Sequence, residues 1–167
     1  MSIVLQSPFP SNELPAVWAW GQAFRGRMFD DSSLPTFEAF AEDWREQERR
    51  GRRSWAVSRN GELGGCLIST RLSPDKAELH LLFKKTFWGR ATTRTALWMV
   101  CAQIFAAGVD TIESTVPADA GAVLALVKTI GARREHIGQS SRNGMPVDMI
   151  GLVLERNDFV AKGVVAR

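Results

Sequence analysis

Tyrosine is absent from this chain of 167 residues, and histidine and cysteine occur twice each. Without a phenol, one common proton donor is missing from any enzymatic scheme. Cys66, Cys101, His80 and His136 do not supply a metal site at any usual spacing, so no metal is expected. Both cysteines sit inside apolar patterns, which fits buried free thiols in a reducing, cytoplasmic compartment. No stretch approaches the roughly 20 apolar residues of a membrane helix. The N-terminus, MSIVLQSPFP, lacks the basic start and long apolar run of a signal peptide. Repeats, linkers and low-complexity segments are also missing, so one domain over 1–167 is expected, with 157–167 as a tail of uncertain structure. Net charge is only +3, too mild to mark a nucleic-acid binder. The basic residues do gather in 45–53, REQERRGRR. They read either as the solvated end of an amphipathic helix or as a patch for an acidic ligand such as nucleotide phosphates. Aromatics are not interleaved with them as single-strand binding would want, so nucleic acid is an unlikely partner.

What is present is organised around residues 83–105, FKKTFWGRATTRTALWMVCAQIF. Leu97, Val100, Cys101 and Ile104 recur at helical spacing. A strand-length apolar run, AELHLLF at 77–83, precedes this helix, and DTIESTV at 110–116 follows it. Strand, helix and strand at this distance form a βαβ unit with a right-handed crossover. The free amides at the helix start and the positive end of its dipole make the loop at 88–93 a candidate phosphate site.

The rest of the chain reads in order. Residues 3–6 are a short strand. Residues 12–26 are a helix with Asn12 as its cap and Pro15 in its first turn, and residues 34–50 are a second helix closed by Gly51. Phe37, Phe40, Ala41 and Trp44 share one face of that second helix. A meander follows: 54–59, the hairpin turn Asn60-Gly61, 62–72, a turn at 73–76, then 77–83. Gly64-Gly65 inside the second of these strands marks a bulge or a close backbone approach. After 110–116, Asp119 is the expected cap of a helix carrying Val123, Leu126, Val127 and Ile130 and ended by Gly131. The hairpin 133–141 and 145–155 turns at Asn143-Gly144. The expected architecture is α+β, with a mixed, mostly antiparallel central sheet of about six or seven strands flanked by about four helices. A cofactor cleft opens if the one parallel strand pair splays.

Phe87-Trp88-Gly89-Arg90-Ala91-Thr92-Thr93-Arg94-Thr95-Ala96-Leu97 resembles the phosphate loop of the GNAT superfamily of N-acetyltransferases. The nearest branch acetylates protein N-termini, ribosomal ones especially. There the usual run is aromatic-Trp-Gly-Arg-Gly-aromatic-Ala-Thr-Glu-Ala. The segments 116–122 and 128–132 resemble that family's later strand end and helix end, and the likeness spans about residues 52–156. Three departures stand out. The first loop glycine is Ala91, the usual Asn is Ala120 beside Asp119, and the Tyr that often protonates the leaving thiolate falls at Leu126. A register beginning at Thr86 places Gly89 and Ala91 in the two small positions instead.

The resemblance implies acetyl-CoA as cosubstrate and an acceptor amine, either a small molecule or a peptide or protein N-terminus. The pyrophosphate would take the amides of Trp88, Gly89, Arg90, Ala91, Thr92 and Thr93, the two Thr hydroxyls, and charge from Lys85 and Arg90. The pantetheine arm would pair with the strand edge at Leu81, Leu82 and Phe83, and Asp119 would lie near the cofactor. Trp88 reads alternatively as an apolar plug under the loop. Glu78 and His80 alternate on one strand face and are the base candidates. An imidazole ordinarily titrates near neutrality, whereas a carboxylate would act through water. Each also reads as an ordinary strand residue. Ser114 and Ser140 are candidate acids. Asp30 and Asp31 lie where this fold builds its acceptor wall. The departures also support a domain that binds an acyl-CoA or a partner without turnover. The hairpin edges and the tail are candidate surfaces for a homodimer.

Overall fold

The computed structural model describes residues 2–23, 36–142 and 144–159. Seven strands are named in chain order: β1 (Ile3–Gln6), β2 (Arg53–Arg59), β3 (Glu62–Arg71), β4 (Lys76–Phe83), β5 (Thr111–Pro117), β6 (Arg133–Arg142) and β7 (Met145–Glu155). They form one sheet in the order β1-β2-β3-β4-β5-β7-β6. Helices α1 (Leu14–Ala23) and α2 (Phe37–Arg49) precede β2, α3 (Arg90–Ala106) joins β4 to β5, and α4 (Gly121–Lys128) joins β5 to β6. The mixed α+β architecture expected from the sequence is the one observed.

Alternation along the strands divides the core in two. Trp55, Val57, Leu67, Leu79 and Phe83 face α3 and α4, whose Leu97, Val100, Cys101, Ile104 and Val127 close the larger cluster. Ala56, Cys66 and Leu82 face the opposite way and pack under Leu14 and Val17 of α1 and Ala41 and Trp44 of α2. The Asn60-Gly61 turn takes positive φ at both residues, 52° and 83°, and joins Arg59 directly to Glu62. Gly64 and Gly65 combine both expected roles. The register slips here, with Val57 opposite Gly65 and Ser58 opposite Leu63. A Cβ on either glycine would also intrude on a phenyl ring, Phe87 for Gly64 and Phe83 for Gly65.

Several local expectations are corrected. Asn12 does not cap α1; it lies within a 3-10 turn at Ser11–Glu13 that runs into the helix. Residues 24–26 of the expected first helix lie outside the described residues, as does 34–35 of the second. Thr36 caps α2, its hydroxyl accepting from Ala39 N–H at 3.2 Å. Asp119 does not cap α4: the cap position is Ala120, with no side-chain bond, and only the Asp119 carbonyl engages the helix start, accepting from Gly121 N–H at 2.8 Å. The expected turn residue Asn143 lies outside the described residues, while Gly144 has the positive φ of 71° that a hairpin turn needs. Phe159, in the stretch whose structure the sequence left uncertain, belongs to the core. It is buried against Trp98 and Phe105 of α3, with centroids 5.4 and 5.2 Å away.

Candidate active site

Parallel pairing between β4 and β5 is confined to Lys76–Thr111, Ala77–Ile112 and Glu78–Glu113. β4 continues to Phe83 and β5 to Pro117, so beyond Glu78 the two strands part. Their separation opens a cavity of about 950 Å³. Its walls come from both sides of the sheet, Leu97 and Val127 on one side and Phe40 and Trp44 on the other. The β4 backbone from Leu79 onward therefore has a strand partner on the β3 side and an open edge toward the cavity.

Phe83 ends β4 and is followed by a 3-10 turn at Lys85–Phe87. The first helical bond of α3 runs from Thr93 N–H to the Gly89 carbonyl at 3.1 Å. The amides ahead of it belong to the helix end, where the dipole is positive. Space beside Gly89 is open, since a Cβ there would meet nothing within 4 Å. Lys85 is exposed next to the loop. The side chain of Arg90 lies outside the described residues.

The two threonine hydroxyls are not where the sequence suggested. Thr92 and Thr93 are both 2% exposed. Thr93 Oγ1 donates to the Gly89 carbonyl at 2.6 Å, and Thr92 Oγ1 accepts from Arg59 at 3.3 Å. They hold the helix start from inside. Arg59 was not singled out by the sequence. Its guanidinium lies 4.5 Å from the Phe87 ring centroid and also donates to the Thr86 carbonyl at 3.4 Å, fixing the loop at both ends. Trp88 is half-buried against Phe83 as an edge-on plug, and its indole N–H donates to the Phe83 carbonyl at 3.1 Å.

Glu78 and His80 project to the α1/α2 side of the sheet, since Ile68 and Thr70 stand opposite them on β3. Both line the cavity. His80 Nε2 donates to Glu78 Oε2 at 3.2 Å, with side chains 50% and 34% exposed. That bond leaves Nδ1 as the acceptor of a neutral imidazole. It also holds the Glu78 carboxyl below its ordinary range, against the opposing effect of burial. The sign of the linkage follows: Glu78 stabilises the fold above the ordinary carboxylate range and loses that contribution as pH falls through its lowered folded value. Glu78→Gln should therefore flatten the acid limb of a plot of thermal midpoint against pH. An unaltered limb would mean the pair is not formed in solution.

Ser114 and Asp119 line the cavity; Ser140 does not. Leu126, at the position where the resembled family carries Tyr, is buried in the larger core cluster and does not line the cavity. Asp30, Asp31 and the side chain of His136 lie outside the described residues. The basic run resolves into two kinds of residue. Arg49 and Arg50 form exposed pairs with Glu46, the solvated helix end, whereas Arg52 turns inward and lines the cavity.

The family model of the acetyltransferase (GNAT) domain matches residues 8–133. The chain belongs to the GNAT acetyltransferase family. Solved structures share the fold at low identity. The ribosomal-protein-alanine N-acetyltransferase of Brucella melitensis superposes with a TM-score of 0.78 at 16% identity, covering 91% of this chain and 99% of its own. The spermidine N-acetyltransferase of Vibrio cholerae, in complex with CoA and spermine, gives 0.83 at 14% identity over 95% and 98%. A putative acetyltransferase of Salmonella typhimurium, with its cofactor acetyl-CoA, gives 0.78 at 10% identity over 93% and 94%. No curated protein sequence matches the chain. Among the described residues of this GNAT domain no helix is long and apolar enough to cross a membrane.

Proposed function

We propose that this GNAT domain is a cytoplasmic, acetyl-CoA-dependent N-acetyltransferase that moves the acetyl group to a primary amine by direct attack in a ternary complex. The carrying observation is the parting of β4 and β5, which opens one cavity to both sides of the sheet. The start of α3 offers backbone amides and a positive dipole end to the pyrophosphate, with Lys85 beside it. The open edge of β4 at Leu81, Leu82 and Phe83 offers peptide groups to the amide-bearing pantetheine arm. A β4 backbone N–H polarises the thioester carbonyl as it becomes an oxyanion.

The acceptor enters from the α1/α2 side, where Glu78 and His80 stand. Its amine gives a proton to His80 Nδ1, or to Glu78 through water, and attacks the acetyl carbon. The N–C bond forms, the C–S bond breaks, and the coenzyme leaves as a thiolate. A thiolate is a stable leaving group that can take its proton from solvent, so the lack of tyrosine does not block this route. Cys101 also lines the cavity, but burial pushes its thiol up to about 12. It stays protonated at neutral pH, which supports direct transfer over an acyl-cysteine intermediate. Both thiols are free and buried, in keeping with a reducing compartment.

The test is thermal unfolding with acetyl-CoA and with free CoA, followed by thiol release with an amine panel. Acetyl-CoA at about 100 times its dissociation constant should stabilise the fold by about 2.7 kcal/mol. His80→Ala should slow thiol release by about 100-fold or more while leaving the acetyl-CoA shift in place. A shift with no release from any amine would leave an acyl-CoA-binding domain without turnover. No shift at all would sink the cofactor assignment.

A further inference from the structure

Arg52 stands on the acceptor side of the cavity and forms no direct ion pair with any described residue. No carboxylate lies within 4 Å of its guanidinium among the described residues, although eight ion pairs form elsewhere among them. Arg52 Nε is closed to water and makes no hydrogen bond, and so is Nε1 of the adjacent Trp44. Both residues line the cavity. The guanidinium is nonetheless held in place. It stacks over the Trp44 ring at 4.8 Å and donates through one Nη to the Trp44 carbonyl at 3.0 Å. Burial lowers its pKa, opposed by the more distant Asp43 and Glu48. A partly desolvated, underpaired cation costs free energy unless a ligand supplies the anion.

The sheet register gives the geometry. Arg53 pairs with Ser69, so Arg52 stands beside Thr70, and Thr70 pairs with Glu78. Arg52 and Glu78 thus share one row on one face, two strand spacings or about 10 Å apart at the backbone. With the backbones that far apart, an amine presented to Glu78 and His80 would meet Arg52 through a group several bonds away. The intervening wall is apolar and aromatic, formed by Phe40, Trp44 and Ile68.

We infer that the acceptor is an amine carrying a carboxylate several bonds from its nitrogen, with Arg52 binding that carboxylate, and that polyamines are rejected. This rests on the transferase reading above. It sets the chain apart from the fold-similar spermidine enzyme, because a second ammonium would meet a fixed guanidinium.

Three amines of one length decide the matter: 6-aminohexanoate, 6-aminohexanamide and 1,6-diaminohexane, assayed by thiol release. A charge-assisted hydrogen bond of about 1.5–3 kcal/mol corresponds to roughly 10- to 100-fold. The carboxylate should therefore exceed the amide by at least about 10-fold in kcat/KM and the diamine by more. Arg52→Gln should erase the preference, Arg52→Glu should turn it toward the diamine, and Arg52→Lys should retain part of it. If either glutamine or glutamate variant fails to fold, the wild-type panel decides alone. A wild-type protein that uses the diamine or amide as well as the carboxylate overturns the inference and keeps the transferase reading. If none of the three turns over, equilibrium dialysis decides. Binding of 6-aminohexanoate without 1,6-diaminohexane upholds the Arg52 site, the transferase reading then resting on the wider amine panel, and equal or absent binding overturns the site.

Discussion

Gly64→Ala will lower the thermal midpoint by about 6–12 °C. A Cβ at this position would overlap three carbons of the Phe87 ring, so the ring would have to shift. Phe87 is fully buried. Two cations also approach it, Arg59 at 4.5 Å and Lys84 at 4.8 Å from the centroid. Over-packing a tight core costs about 1–3 kcal/mol. Each kcal/mol shifts the midpoint by about 2–4 °C for a domain of this size, and a fully buried ring belongs at the upper end. The cost should fall in the double variant Gly64→Ala, Phe87→Leu, because the smaller side chain vacates the contact and the two changes couple. The displacement also reaches function. Phe87 is the last residue of the turn leading into α3, so a shifted ring moves the helix start and weakens the response to acetyl-CoA. A midpoint within a degree of wild type would show that the close approach is absent in solution.

How much of this was legible depends on whether the signal was local. The Asn60-Gly61 turn, the α3 stripe and the diglycine were read correctly, because each is set by neighbours in sequence. The cleft was legible one step removed: a single crossover helix forces one parallel strand pair, which then had only to part. Thr93 was misjudged although the clue was present. It stands at i, i+3, i+4 and i+7 with Ala96, Leu97 and Val100, all buried, so its hydroxyl had to face inward. Arg52 hid inside a basic run whose other members are solvated. Only its phase with Ser54 and Ala56 along the strand separates it from them. Asp119 failed as a cap for a tertiary reason: Ala118 N–H is drawn to the Asp148 carbonyl of β7 at 2.8 Å, and the helix starts beyond it. Phe159 gave no sign at all, because its partners lie far away in sequence, on α3.

Gly89→Asp will separate the folding role of the α3 start from its binding role, because the two should move in opposite directions. Gly89 is the cap residue of α3, with φ 174° and ψ 147°, extended backbone that any residue adopts. A Cβ meets nothing within 4 Å, so the fold has room for the side chain. Aspartate is among the favoured cap residues, since its carboxylate accepts from the amides of the first turn and complements the dipole. The unliganded protein should therefore be at least as stable as wild type, with a gain of about a few tenths of a kcal/mol. In the proposed function those amides receive the coenzyme pyrophosphate, and a fixed carboxylate would both occupy and repel that position. Affinity for acetyl-CoA should fall by about 100-fold or more, the loss of one or two charge-assisted hydrogen bonds at about 1.5–3 kcal/mol each. Gly89→Ala, which adds neither charge nor cap, should keep most of the affinity. Thermal unfolding of the three proteins with and without acetyl-CoA measures both effects together. A Gly89→Asp protein that folds normally and still responds fully to acetyl-CoA would place the phosphates somewhere other than the start of α3.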